Sequence, residues 1–127
     1  MKTFYIAGRT KNIDHIKQIA NHLKKAGMAW SFDWTKHGLF PKPYHHNDPE
    51  INDFTQKCIE GIQESTLFIL LCQDSLGARG SFIELGIALT SPAEIWIIGD
   101  ENPSLFSCLD RVHHASDIST FMQNIKV

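Results

Sequence analysis

Six consecutive apolar residues, Leu67 to Cys72, constrain this 127-residue chain more than any other segment. A strand with one wet face alternates apolar and polar residues. A run apolar at both parities needs cover on both sides, which is the situation of a central strand in a parallel sheet sandwiched between helices. The run is far too short to cross a bilayer, so it predicts no membrane partner.

The flanking segments supply the helices. Thr3 to Ala7 is a short apolar run closed by Gly8, and Ile13, Ile16, Ala20 and Leu23 follow at helical spacing, which predicts strand, turn and helix. Lys24 and Lys25 suit the negative end of the helix dipole, and Gly27 suits the left-handed residue beyond a helix. Met28 to Phe32 reads as a second strand. Trp34 to Asn47, with Gly38, Pro41 and Pro43 and no periodicity, reads as a long loop of the kind compact domains keep for function. Asp48 before Pro49 predicts a helix start, and Ile51, Phe54, Cys58 and Ile62 form one apolar stripe on a helix ending near Ser65. Beyond the central strand, Asp74 to Gly80 is a turn of small residues, and Phe82, Leu85, Gly86 and Leu89 mark a third helix. Glu94 to Ile98 is a fourth strand, Val112 and His113 a short fifth, and Ser116 to Ile125 a final helix.

Strands alternating with helices at these intervals imply parallel pairing and right-handed crossovers. The predicted fold is therefore α/β: a three-layer helix-sheet-helix sandwich, with a parallel sheet of four or five strands in the flavodoxin- or Rossmann-like order 2-1-3-4-5. One domain spans residues 1–127. Such sheets bind ligands beyond the carboxyl ends of their strands. The loops there carry Gly8 and Arg9, Asp33 and Trp34, and the stretch from Asp74 to Glu84.

Charge narrows the ligand. The net charge is −2 and the lysines and arginines are scattered, so no basic field exists to hold a nucleic-acid polymer, and a small molecule is the expected partner. Cys58, Cys72 and Cys108 are widely spaced in apolar surroundings, which fits thiols in a cytoplasmic setting rather than a disulfide framework. The opening MKTFYIAG runs straight into a strand pattern, so no secretion signal is expected. His45, His46 and Asp48 lack a second cluster to complete a coordination shell, and no metal or other cofactor is expected.

The chemistry concentrates on Gly80, Ser81 and Glu84, at the passage from the third strand to the third helix. Placed in the first helical turn, the Glu84 carboxylate stays ionised beside unpaired backbone N–H groups and leans toward the crevice. Ser-x-x-Glu is equally the pattern of a capping box, in which Glu84 returns a hydrogen bond to the Ser81 N–H. Arg9 suits a phosphate or carboxylate, Asp33 suits sugar hydroxyls or a cap on the following loop, and Trp34 suits stacking on a base or packing in the core.

The segments FYIAG near the start, the pair Asp33–Trp34 after the second strand, and GSFIELGIAL resemble the nucleoside 2-deoxyribosyltransferase-like family, which includes deoxynucleotide N-hydrolases. The match rests on Gly80, Ser81, Glu84, Leu85, Gly86 and Ala88, and in element order it spans most of the chain. The resemblance implies that Glu84 is the nucleophile on the anomeric carbon of the sugar and that Tyr5 helps to hold it. It implies substrate contacts from Gly8, Arg9, Asp33, Trp34, Gly80 and Ser81, and a homodimer or larger homo-oligomer. Cys58 stands where the family carries an aspartate that assists the leaving base. Ala78 stands where it carries a second aspartate, with Asp74 close by. The implied activity is hydrolysis or transfer at the N-glycosidic bond of a nucleoside or nucleotide. The alternatives are a nucleotide-binding module without turnover and a glycohydrolase that cleaves NAD.

Overall fold

The computed structural model describes residues 2–72, 79–99 and 104–126. Five strands, β1 (Thr3–Ala7), β2 (Ala29–Trp30), β3 (Leu67–Leu71), β4 (Glu94–Ile98) and β5 (Val112–Ala115), form one sheet. All neighbours pair in parallel, in the order β2-β1-β3-β4-β5. The helices are α1 (Ile13–Lys25), α2 (Pro49–Glu64), α3 (Arg79–Leu89) and α4 (Ile118–Asn124). This is the α/β sandwich and strand order that the sequence predicts.

β3 is buried at every position, as its double-sided apolar run requires. The two-residue period of a strand sends Leu67, Ile69 and Leu71 into one core layer with Phe4 and Ile6 of β1 and the apolar faces of α1 and α4. Phe68, Leu70 and Cys72 go into the other, with Tyr5 and Ala7 of β1, Ile62 of α2, and Leu85 and Ala88 of α3. Among the described residues, no helix is long and apolar enough to cross a membrane.

The helix ends follow local chemistry. α1 stops before Gly27, whose φ of +93° is the left-handed conformation that glycine adopts without a Cβ clash. α2 starts at Pro49 with Asp48 as its cap, the carboxylate accepting from the N–H of Glu50 at 2.9 Å and of Ile51 at 3.4 Å. Other boundaries differ from expectation. The second strand is confined to Ala29–Trp30, because the register pairs only these two with Thr3 and Phe4 at the sheet edge. The fifth strand runs on to Ala115, carried by pairing with Ile95 through Ile98. The last helix starts later than expected, at Ile118, with Asp117 capping the N–H of Thr120 at 2.7 Å.

Candidate active site

A cleft of about 410 Å³ opens at the carboxyl edge of the sheet, with Tyr5 in its floor, α2 and α3 as walls, and the loop after β2 at its rim. Of the residues singled out in the sequence, Tyr5, Gly8, Trp34, Gly80 and Glu84 all line it, as does Cys58. Residues from four segments far apart in the chain thus converge, because β1 lies beside β3 in the sheet and α2 and α3 cover the same face.

The central contact joins Tyr5 and Glu84. The Tyr5 ring is fully buried and stacked on Phe68, with centroids 6.0 Å apart and planes within 5°. Its hydroxyl donates a hydrogen bond to Glu84 Oε2. Glu84 is half-buried overall, open to the cleft on one side, while its carboxyl end meets this buried hydroxyl. Burial pushes the Glu84 carboxyl up to about 7, and the hydrogen bond from Tyr5 pulls the other way. Burial, and then the Glu84 charge, raise Tyr5 above the usual phenol range. Cys58, on α2 beside the pair, is pushed up to about 11, chiefly by burial, with the Tyr5 hydroxyl acting in the opposite sense.

This corrects the sequence-level account of Glu84. α3 is already helical at Arg79 and no acidic residue occupies its first turn, so Glu84 lies past the N–H groups that were expected to keep it ionised. Ser81 is inside the helix and buried, not its cap, so the capping-box geometry with Glu84 is not formed. Tyr5 and desolvation, rather than a helix terminus, set the state of this carboxyl. Asp74 and Ala78 lie outside the described residues.

The remaining candidates divide. Trp34 does two jobs: its indole N–H donates to the Ile6 carbonyl at 2.6 Å, and its ring packs against both core layers while lining the cleft. Asp33 faces a separate shallow groove with Lys24, Trp30 and Lys36, and its carboxylate accepts hydrogen bonds from the backbone N–H of Thr35 at 3.0 Å and from the Thr35 hydroxyl. It caps the turn Trp34–Lys36, one of the two roles its position allowed. Arg9 and Ser81 do not line the cleft. Among the described residues, no three His, Cys, Asp or Glu side chains converge as metal ligands.

Several cleft residues escaped the sequence reading. Ile51, Phe54 and Cys58 belong to the stripe expected in the core, yet all three are half-buried and line the cleft, and only Ile62 is fully buried. Phe40 and Tyr44, from the long loop, complete the rim. The loop is held to α2 by rings: His37 stacks on Phe40 at 4.4 Å, and both lie against Phe54, at 4.9 and 5.3 Å. The signal available in the sequence was the recurrence of aromatic residues in a loop otherwise rich in proline and histidine. Gly61 shows how tightly α2 sits over the sheet. A Cβ there would come within 2.7 Å of Phe32 Cβ and 3.3 Å of the Tyr5 ring.

Comparison of the chain with protein-family models, curated proteins and solved structures yields no match.

Proposed function

We propose that this protein acts on the N-glycosidic bond of a nucleoside or nucleotide, by hydrolysis or transfer, with the Glu84 carboxylate attacking the anomeric carbon. The observation that carries the reading is the Tyr5–Glu84 hydrogen bond in the floor of an apolar, aromatic-rimmed cleft. A carboxylate beneath a sugar ring displaces the base through an oxocarbenium-like transition state and leaves a glycosyl ester, which water or a second acceptor then resolves. Tyr5 keeps Glu84 in one orientation and favours its ionised form. Trp34, Phe40 and Phe54 line the cleft with aromatic surface suited to a base. The likeness of Gly80, Ser81, Glu84, Leu85, Gly86 and Ala88 to the nucleoside 2-deoxyribosyltransferase-like motif supports the same role for Glu84.

Turnover by purified Glu84→Gln against wild type tests the reading. An amide cannot attack, so kcat/KM for a cleavable nucleoside or nucleotide is expected to fall by about 10³-fold or more while the protein stays folded. Turnover at the wild-type rate would end it. A second reading, a nucleotide-binding module without catalysis, draws on Cys58, a thiol pushed up to about 11 by burial at the position where the resemblance implies an aspartate. Saturable binding of nucleosides or nucleotides without release of base would favour that second reading.

A further inference from the structure

The leaving base sets a chemical demand that this cleft answers in an unusual way. A neutral nucleobase gathers negative charge as its bond to C1′ breaks, and an acid that protonates it is typically worth about 10²- to 10⁴-fold in rate. Among the described residues lining the cleft, the proton-bearing side chains besides the hydroxyl of Thr55 and the indole of Trp34, whose N–H is committed to the Ile6 carbonyl, are Tyr5, Tyr44, Cys58 and Glu84. Tyr5 directs its hydroxyl at Glu84, and burial strengthens its hold on the proton. Cys58 is pushed up to about 11. Tyr44 is 62% exposed at the rim. Glu84, as the attacking group, must be ionised and has no proton to give. None of the four is matched to protonating a base near neutral pH.

What the cleft does offer is suited to positive charge. Glu84 is the one side chain among its described lining residues that carries charge near neutrality, and it sits in apolar surroundings where a charge acts strongly. The rings of Trp34, Phe40, Phe54 and Tyr44 line the same cleft, and aromatic rings attract cations. The Tyr44 ring already has the Lys42 ammonium 6.0 Å from its centroid.

We infer that the leaving group this cleft accepts is a cationic N-heterocycle, a pyridinium or an N-alkylated purinium, which departs neutral and needs no proton. The inference rests on the glycosidic reading above and names its substrate class. In the step, Glu84 Oε forms a bond to C1′ while the C1′–N bond breaks. Its electron pair passes to the ring nitrogen and cancels the positive charge. Water then attacks C1′ of the glycosyl ester, the carboxylate recovers its electron pair, and one proton goes to solvent.

Matched nucleosides test this on the full chain: 7-methylguanosine against guanosine, 7-methyl-2′-deoxyguanosine against 2′-deoxyguanosine, and nicotinamide riboside against uridine. The expected result is turnover of the cationic member with kcat/KM higher by at least about 10²-fold, abolished by Glu84→Gln. Cys58→Asp, which introduces a carboxyl into the cleft wall near the Tyr5–Glu84 pair, should raise the rate on the neutral member more than on the cationic one and narrow the ratio. Guanosine or its deoxy form turning over within tenfold of the 7-methyl compound, by a Glu84-dependent route, would overturn the cationic preference and leave the glycosidic reading standing. No turnover of any member, or turnover that Glu84→Gln does not change, would remove both.

Discussion

The two faces of the sheet are made by the same strands and bury opposite kinds of chemistry. On the face covered by α1 and α4, the core layer is built from aliphatic side chains and phenyl rings, with Phe4, Ile6, Ile16 and Phe121 fully enclosed. On the face covered by α2 and α3, the layer holds Tyr5 and Cys72, packs against Cys58, and ends in the cleft at Glu84. β1 joins them: Phe4 and Ile6 anchor the strand on the closed side, and Tyr5 between them is thereby aimed at Glu84 on the other. The dry face acts as the mount on which the cleft face and its Tyr5–Glu84 contact are aligned.

Truncation separates the faces most sharply. Phe4→Ala removes a buried ring stacked on Trp30 at 5.6 Å and should lower stability by about 3–5 kcal/mol in urea unfolding. Phe54→Ala, in the half-buried cleft wall, should cost about 1 kcal/mol and weaken ligand binding instead. Equal losses would break the distinction between the closed face and the cleft face.

The next effect depends on pH. Glu84 is raised in the folded state from 4.5, the ordinary glutamate value, to about 7, so the native protein holds this proton more tightly than the unfolded chain does. Its contribution to stability is therefore fully present below about pH 4.5 and is lost as pH climbs from there through 7. Glu84→Gln, which keeps an oxygen to accept from Tyr5, should escape that loss. It should unfold at a higher temperature than wild type at pH 8, by the equivalent of about 1–3 kcal/mol, with the gap closing toward pH 4. A gap independent of pH would show that the carboxyl is not desolvated.

A smaller effect resolves the role of Tyr5. Its hydrogen bond lowers the Glu84 value, so Tyr5→Phe should raise it, moving the acidic limb of the kcat/KM profile to higher pH. A profile that keeps its midpoint while the plateau falls would make Tyr5 a packing residue only.

Much of the closed face could be read from residue order, and less of the open one. The double-sided apolar run of β3 and Gly27 after α1 each express a local rule that tertiary structure leaves in force, as does the Asp48–Pro49 start of α2 on the open side. The stripe on α2 illustrates the limit. Periodicity identifies the inward face of a helix, but Ile51, Phe54 and Ile62 look alike whether that face meets packed core or the wall of a cleft. Ser81 and Glu84 illustrate another, since a local capping pattern carries no weight once the helix has begun at or before Arg79. The Tyr5–Glu84 contact is separated by 79 positions, and only the pairing of β1 with β3 brings its partners within reach.

A carboxyl that titrates near 7 also makes the cleft a small proton reservoir. In neutral buffer a fraction of the molecules carries the Glu84 proton, and a ligand that brings positive charge beside it should expel that fraction into solution. Binding heats measured in buffers of different ionisation enthalpy should then diverge, and converge for Glu84→Gln. The protein would take up its ligand as an exchange of one cation for another, with affinity rising as the medium becomes more alkaline until the reservoir is empty.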